Sequence, residues 1–353
     1  MPTNTANKEA SFLEKEQKRW ERFFNTLNSG DFKFGHTTRQ LVWKKNKATL
    51  WHYPAATTKK YDVPIFIVYS LFNQPTILDF APGSSVLEGL VNRGYDVYLL
   101  DWGVAGYEDK NISIEDYVAS YIKKAVQRAL RHSGAEEISV VGYCLGGTLA
   151  AMYASIAEEP IKNLVTAAVP IDFSVAASLP ENWAEAMLEG NMNLDRFIEV
   201  YGLVPPVYVE AMFRSITSPV YNTPYTLLLS RAHDQRFTEK WHRMNTWTKG
   251  HVPLTGGAFK QLNEDLFKGN KLVKGEFTIH GKKADLKNIK ANLLAVSMKS
   301  DNLIPEEQSK PIMDLVSSVD KTFLRIEGGH VNLAMSGKFA GILDDWLSER
   351  STK

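Results

Sequence analysis

The sequence predicts an α/β protein with a mostly parallel central sheet and one large insertion. From about residue 48, short apolar runs alternate with helical segments, the pattern of strands joined by crossover helices. Between about 174 and 285 that alternation stops, and the chain becomes rich in Trp, Met, Tyr and Pro. A third observation is local. In ISVVGYCLGGTLAAMYASIA, β-branched text gives way at Gly142–Gly147 to alanine-rich text, which reads as a buried strand, a tight turn and a buried helix.

Residues 8–28 read as a helix with Phe12, Leu13, Trp20, Phe23, Phe24 and Leu27 on one side. That seam is expected to pack on the chain's own core, a partner surface being the other way to cover it. The candidate buried strands are 64–71, 95–102, 138–144, 163–173, 291–301 and 322–330. Between the second and third, SIEDYVASYIKKAVQRALRHSG reads as a crossover helix. Ser113 caps it, Asp116 takes the capping-box position, Ile114, Tyr117, Val118, Tyr121, Ile122, Ala125 and Ala129 recur at helical spacing, and Gly134 ends it. His132, near its end, reads as a cap on the helix dipole. The expected organisation is an N-terminal helical segment (1–47), a core (48–173 and 286–353) and a cap inserted at 174–285. Such an insertion would sit over the C-terminal ends of the strands, where open α/β sheets place their sites.

Composition narrows the function. Lys plus Arg (41) nearly cancels Asp plus Glu (40), so a formal charge of +1 offers no global field for nucleic acid or an anionic membrane. One cysteine in 353 residues leaves no internal disulfide and no Cys-based zinc site, and favours a reducing, cytoplasmic setting. The N-terminus has no apolar h-region, so no signal peptide is expected. The uncharged run 138–157 is long enough to suggest a membrane span, but its Gly-Gly interruption argues for strand, turn and helix. No P-loop or dinucleotide-binding motif occurs; no cofactor and no metal are expected.

The lone thiol sits in Gly142-Tyr143-Cys144-Leu145-Gly146, a nucleophile elbow with sulfur in place of serine oxygen. The elbow strains its nucleophile, and a Cβ two residues to either side would strike the adjoining helix or strand. It also puts the Leu145 N–H at a helix N-terminus, as one half of an oxyanion hole beside a Cys144 thiolate. The second donor is expected from the loop after 64–71, at Phe72 or its neighbours Leu71 and Asn73. An elbow calls for nucleophile, acid, histidine in chain order. Asp301 follows the strand ANLLAVSMKS, and His330 follows TFLRIEGG on a glycine-loosened loop. Each has an ordinary alternative, Asp301 as a cap for the next helix in LIPEEQSKPIMDLV and His330 as a turn residue, but their order and placement agree with a triad. A thioester on Cys144 would keep the activation of an acyl-CoA, which an ester on serine would lose. The sulfur therefore favours acyl transfer over hydrolysis.

Beyond the elbow, the sequence resembles the short polyhydroxyalkanoate synthases, the catalytic subunits of the two-component classes III and IV. The stretches are HTTRQLVWKKNKATLWHYPA, VPIFIVYSLFNQPTILDFAPGSSVLEGLVNRGYDVYLLDWGVAGYED, GYCLGGT, LFKGNKLVKGEFTIHGKKADLKNIKANLLAVSMKSD and GGHVNLAMSGK. They run from about residue 36 to the end, and FNQPTILDFAPG, DWG and GYCxGG together are specific. The resemblance implies an α/β-hydrolase fold with Cys144 acylated, His330 as general base and Asp301 as its acidic partner. It implies (R)-3-hydroxyacyl-CoA, (R)-3-hydroxybutyryl-CoA above all, as substrate, with coenzyme A released and a growing polyester as product. The long N-terminal region of single-subunit synthases is missing, which implies an accessory subunit. A polymer granule surface in the cytoplasm and a homodimer fit the same picture. Asn302 departs from the family, where a histidine often follows the aspartate, and 201–237 departs most. The rivals are a cysteine hydrolase of the dienelactone hydrolase or thioesterase kind, and a granule scaffold without activity.

Overall fold

The computed structural model describes residues 3–30, 32, 34–175, 194–216 and 223–352. Its main sheet has eight strands. β1 (Gln40–Lys45) and β2 (Ala48–Tyr53) form a hairpin, and β2 runs antiparallel to β4 (Val97–Asp101). The other pairings are parallel: β4 with β3 (Ile65–Val68), β3 with β5 (Ile138–Tyr143), β5 with β6 (Ile161–Ala167), β6 with β7 (Asn292–Met298) and β7 with β8 (Lys321–Ile326). The order is β1-β2-β4-β3-β5-β6-β7-β8. All six expected strands are present, each shorter than its apolar run, because the run continues into the loop that carries the site.

The hairpin was not expected. The segment 1–47 is helical only as far as α1 (Thr3–Leu27), and β1 then forms the edge of the sheet. QLVWKK is half exposed, so it carries no buried run that would mark it as a strand.

Alternation of side chains splits the core between the two faces of the sheet. Phe66, Val68, Tyr98, Leu100 and Val140 face the crossover helix, of which α3 is Lys123–Ser133, and α4 (Leu145–Ile156). Ile65, Ile67, Val97, Leu99 and Val141 face α2 (Val86–Val91) and the C-terminal helix. The crossover begins as expected, with Ser113 and Asp116 in a reciprocal capping box, and ends at Gly134 in the left-handed region (φ 71°). His132 is a correction. Burial and the nearby His52 pull its pKa down, so it is not a charged dipole cap; its Nδ1 meets the Tyr98 hydroxyl at 2.8 Å.

Between β6 and β7 lie helices α5 (Leu194–Tyr201), α6 (Pro206–Ile216), α7 (Thr223–Arg231) and α8 (Gln235–Thr248). The parts of this insertion at 176–193 and 217–222 lie outside the described residues. Its last third joins the core: Leu262, Leu266, Leu272 and Phe277 are buried in the same cluster as α3 and α4. Helix α1 packs on α7 and α8 rather than on the sheet. Phe23 and Leu27 are half-buried there, while Phe12, Leu13, Trp20 and Phe24 are exposed, so its apolar arc is wider than the surface it meets.

Two motif stretches turn out to be one structure. Asp79, from PTILDF, is buried and binds the preceding segment and the following helix together. Its carboxylate accepts from the Thr37 N–H (2.9 Å), the Thr37 hydroxyl (2.7 Å) and the Ser85 hydroxyl (2.7 Å), with His36 Nδ1 at 3.1 Å. Hydrogen bonds to a charged group contribute about 1.5–3 kcal/mol each. Asp79→Ala is therefore expected to destabilise the protein by at least about 2 kcal/mol. A urea-unfolding midpoint equal to that of the parent would contradict this role.

Candidate active site

The site is built at the C-terminal ends of β5, β7 and β8. Cys144 stands between β5 and α4 with φ 52° and ψ −137°, a conformation that costs a side-chain-bearing residue about 1–3 kcal/mol. The two glycines pack closely enough to permit it. A Cβ on Gly142 would lie 2.2 Å from the Gly147 Cα, and one on Gly146 would lie 2.4 Å from the Val68 carbonyl oxygen. The Cys144 amide is anchored to the Ala167 carbonyl at 3.0 Å, so β6 holds the turn from the other side. The thiol is buried, and Leu145 opens α4, where the first N–H groups have no acceptor within the helix.

Cys144, Asp301 and His330 are brought together. His330 Nδ1 lies 2.9 Å from Asp301 Oδ2, and Cys144 stands near enough to the ring to raise its pKa. Asp301 does not cap the next helix, whose N-cap is Pro305, but makes two kinds of contact at once. Its Oδ1 caps the turn after β7, accepting from the Leu303 and Ile304 N–H groups at 2.9 Å each, while Oδ2 faces the histidine. The carboxylate is thus fully buried yet oriented by three donors, and cannot swing without leaving one unpaired. His330 begins α9 (His330–Met335), after Gly329 in extended conformation. Burial works against its positive charge, but Cys144 and Asp301 outweigh it and raise the imidazole to about 10.

The expected second donor sits differently. The Phe72 N–H is aimed at Ser70 Oγ (3.4 Å), and its carbonyl accepts from the Val252 N–H (3.2 Å). The loop 71–74 is stapled to the insertion: Asn73 Nδ2 donates to the Trp247 carbonyl (3.1 Å), and Trp247 Nε1 donates to the Gln74 carbonyl (3.2 Å). The Phe72 ring packs edge-on against Phe213 of α6 at 5.4 Å.

Sequence reasoning missed a group of buried aromatics beside Cys144. Tyr69, at the end of β3, stacks on Tyr143 at 5.6 Å, and Tyr143 lies edge-on to His330 at 5.5 Å. Trp102 donates its indole N–H to the Tyr69 carbonyl at 2.9 Å. The Trp of the DWG motif thereby pins the end of β3 where the loop toward Phe72 begins. The signal was present, since Tyr143 adjoins the nucleophile and Trp102 belongs to a quoted motif. Nothing in the chain's text pairs them. Among the described residues, no cluster of three or more His, Cys, Asp or Glu could hold a metal ion.

An open parallel sheet with an elbow after β5, an acid after β7 and a histidine after β8 defines a class. The family model described as alpha/beta hydrolase fold matches residues 63–334, and the chain belongs to that family. The monoacylglycerol lipase of Paleococcus ferrophilus has the same fold, with a TM-score of 0.54 at 16% identity over 86% of this chain and 99% of that one. Within the class the relatives are more particular. Poly(3-hydroxyalkanoate) polymerase subunit PhaC of Haloarcula marismortui is 33% identical over 90% of this chain and 69% of its own length. The subunits of Haloferax mediterranei (36%, 90% of this chain) and Allochromatium vinosum (28%, 96% of this chain) bear the same name. The chain spans 65% of the Haloferax subunit and 96% of the Allochromatium one. It belongs to the poly(3-hydroxyalkanoate) polymerase PhaC family.

Two outcomes test this geometry. In Gly146→Ala the new methyl meets backbone rather than a yielding side chain. The variant is expected to lose activity and at least about 2 kcal/mol of stability, read from urea unfolding. The His330 imidazole, followed by NMR from pH 5 to 11, is expected to stay protonated through neutrality and titrate near 10. Its folded pKa lies above the unfolded value of about 6.5, so its contribution to stability is complete below that pH and fades as pH rises through 10. Cys144→Ala removes one of the two groups that raise it and should move the titration down; an unchanged midpoint would mean that Cys144 does not act on the imidazole.

Proposed function

We propose that this chain is the catalytic subunit of a two-component poly(3-hydroxyalkanoate) polymerase that carries the growing acyl chain on Cys144. The observation that supports this most is the His330–Asp301 hydrogen bond beside Cys144 at the elbow, in a chain whose relatives bear the polymerase name. In the proposed cycle the Cys144 thiolate attacks the thioester carbonyl of an (R)-3-hydroxyacyl-CoA. The C–S bond to coenzyme A breaks, and the departing thiolate takes the proton held by His330. Acylation abolishes the charge on Cys144. One cause of the raised imidazole pKa is then gone, and His330 is left neutral and able to act as a base.

The 3-hydroxyl of the next hydroxyacyl-CoA then attacks the acyl-Cys144 carbonyl. His330 takes the hydroxyl proton, the ester C–O bond forms and the C–S bond to Cys144 breaks. Cys144 recaptures the lengthened chain from coenzyme A by the first reaction. Asp301 holds the imidazole in the tautomer and orientation that both steps need. The Leu145 N–H, with a donor from the 71–74 loop, stabilises the oxyanion once the Phe72 N–H turns from Ser70.

An accessory subunit, a polyester granule surface, a cytoplasmic setting and a homodimer belong to the same proposal. The exposed Phe12, Leu13, Trp20 and Phe24 of α1 support a contact of this kind. Among the described residues no helix is long and apolar enough to cross a membrane.

The deciding experiment is coenzyme A release from (R)-3-hydroxybutyryl-CoA, followed with a thiol reagent while turbidity is recorded, with and without a candidate accessory subunit. Release with growing turbidity is expected, falling by at least about 1,000-fold in Cys144→Ala and His330→Gln and by a smaller factor in Asp301→Asn. Release that yields only free hydroxy acid would make the protein a cysteine hydrolase instead.

A further inference from the structure

The first turn of α9 should close with the Ala334 N–H donating to the His330 carbonyl. A side chain from another element joins it there: the Tyr143 hydroxyl donates to the His330 carbonyl oxygen, a carbonyl having two lone pairs to offer. Tyr143 is 2% exposed. Its ring is fixed by the stack on Tyr69, whose carbonyl Trp102 holds in turn.

The loop that delivers His330 needs such a tie. Gly328 has φ 119°, open only to glycine, and Gly329 follows it. On the acid side the loop is held by the Ser300 N–H donating to the Gly328 carbonyl at 3.0 Å. On the nucleophile side the Tyr143 hydroxyl grips the backbone of the histidine itself.

The geometry points to Tyr143 as a positioning residue for His330, its hydroxyl rather than its ring setting where the imidazole stands relative to Cys144. Tyr143 and Cys144 are consecutive residues at the end of β5, so the bond refers the histidine to the backbone of the nucleophile. The inference rests on His330 being the base of the proposed cycle. Burial pushes the phenol well above the ordinary tyrosine range, so it remains a donor at any working pH.

Tyr143→Phe keeps the ring and removes the donor to the His330 carbonyl. Loss of about an ångström of placement reduces turnover by about 10–100-fold. That drop in kcat is expected with KM within about twofold, since the hydroxyl does not face substrate. In the same variant the His330 NMR titration should move toward the ordinary histidine value as the ring leaves Cys144. p-Aminophenylalanine at 143, which retains a donor of similar reach, should restore part of both. It also carries the comparison, together with 3-fluorotyrosine, should Tyr143→Phe fail to fold. A folded Tyr143→Phe with parental kcat and parental His330 titration, whatever its melting temperature, would overturn the inference. His330→Gln assayed alongside separates the two readings: if that variant remains active, the assignment of the base has failed and the positioning role falls with it.

Discussion

The backbone of Cys144 is the constraint on which the rest of the site depends. A residue with a side chain is held at φ 52° between the end of a parallel strand and the start of a helix. Strain of about 1–3 kcal/mol is small beside a core in which each large buried side chain contributes about 1.5–3 kcal/mol. The sheet and α4 therefore impose the turn. Its consequences run in both directions along the chain. Forward, the Leu145 N–H emerges at the head of a helix. Backward, Tyr143 turns to the opposite side from the thiol's helix and reaches the histidine loop. Sideways, Gly142 meets Gly147 and Gly146 meets the end of β3, so no other residue type fits at either glycine.

Electrostatics then follow from what surrounds one imidazole. Burial alone would leave His330 neutral, as burial and a neighbouring histidine do for His132. Two neighbours, Cys144 and Asp301, reverse the balance at His330, and they differ in permanence. Asp301 is locked by its bonds to the Leu303 and Ile304 amides, whereas Cys144 can act on the imidazole only while its sulfur is free. In the proposed cycle, where His330 acts first as acid and then as base, the reaction itself removes that second influence.

The parts that could be read from the sequence were local or ordered along the chain. The elbow carries its own steric logic within Gly142–Gly146, and the acid and histidine are recognisable because each follows a strongly apolar strand. The crossover helix declares itself through Ser113 and Asp116. What could not be read was relational. β1 hides because an edge strand needs no buried face. The apolar arc of α1 shows that it must meet something, not that α7 and α8 cover only part of it. His132 looked like a cap because the one-dimensional text shows a histidine at a helix end and cannot show the Tyr98 hydroxyl on the facing strand. Tyr69, Trp102 and Tyr143 lie on three different strands' ends, and only the parallel order β4-β3-β5 sets them side by side.

The second oxyanion donor was the least legible part because its loop answers to two masters. Residues 71–74 leave the end of β3 under the control of Trp102 and the Tyr69 carbonyl, yet Trp247 and Val252 of the insertion hold their far side. The Phe72 amide is turned to Ser70 by a long, weak bond that a substrate oxyanion could displace, while its ring is wedged against Phe213 of α6. Any movement of α6 is therefore transmitted to the peptide that would complete the hole. Leu145, Cys144, Asp301 and His330 belong to the strand ends, whereas the 71–74 loop belongs to the contact between sheet and insertion. In the proposed cycle the elbow is ready at all times, while the oxyanion hole is completed only when the insertion has settled over a bound acyl group.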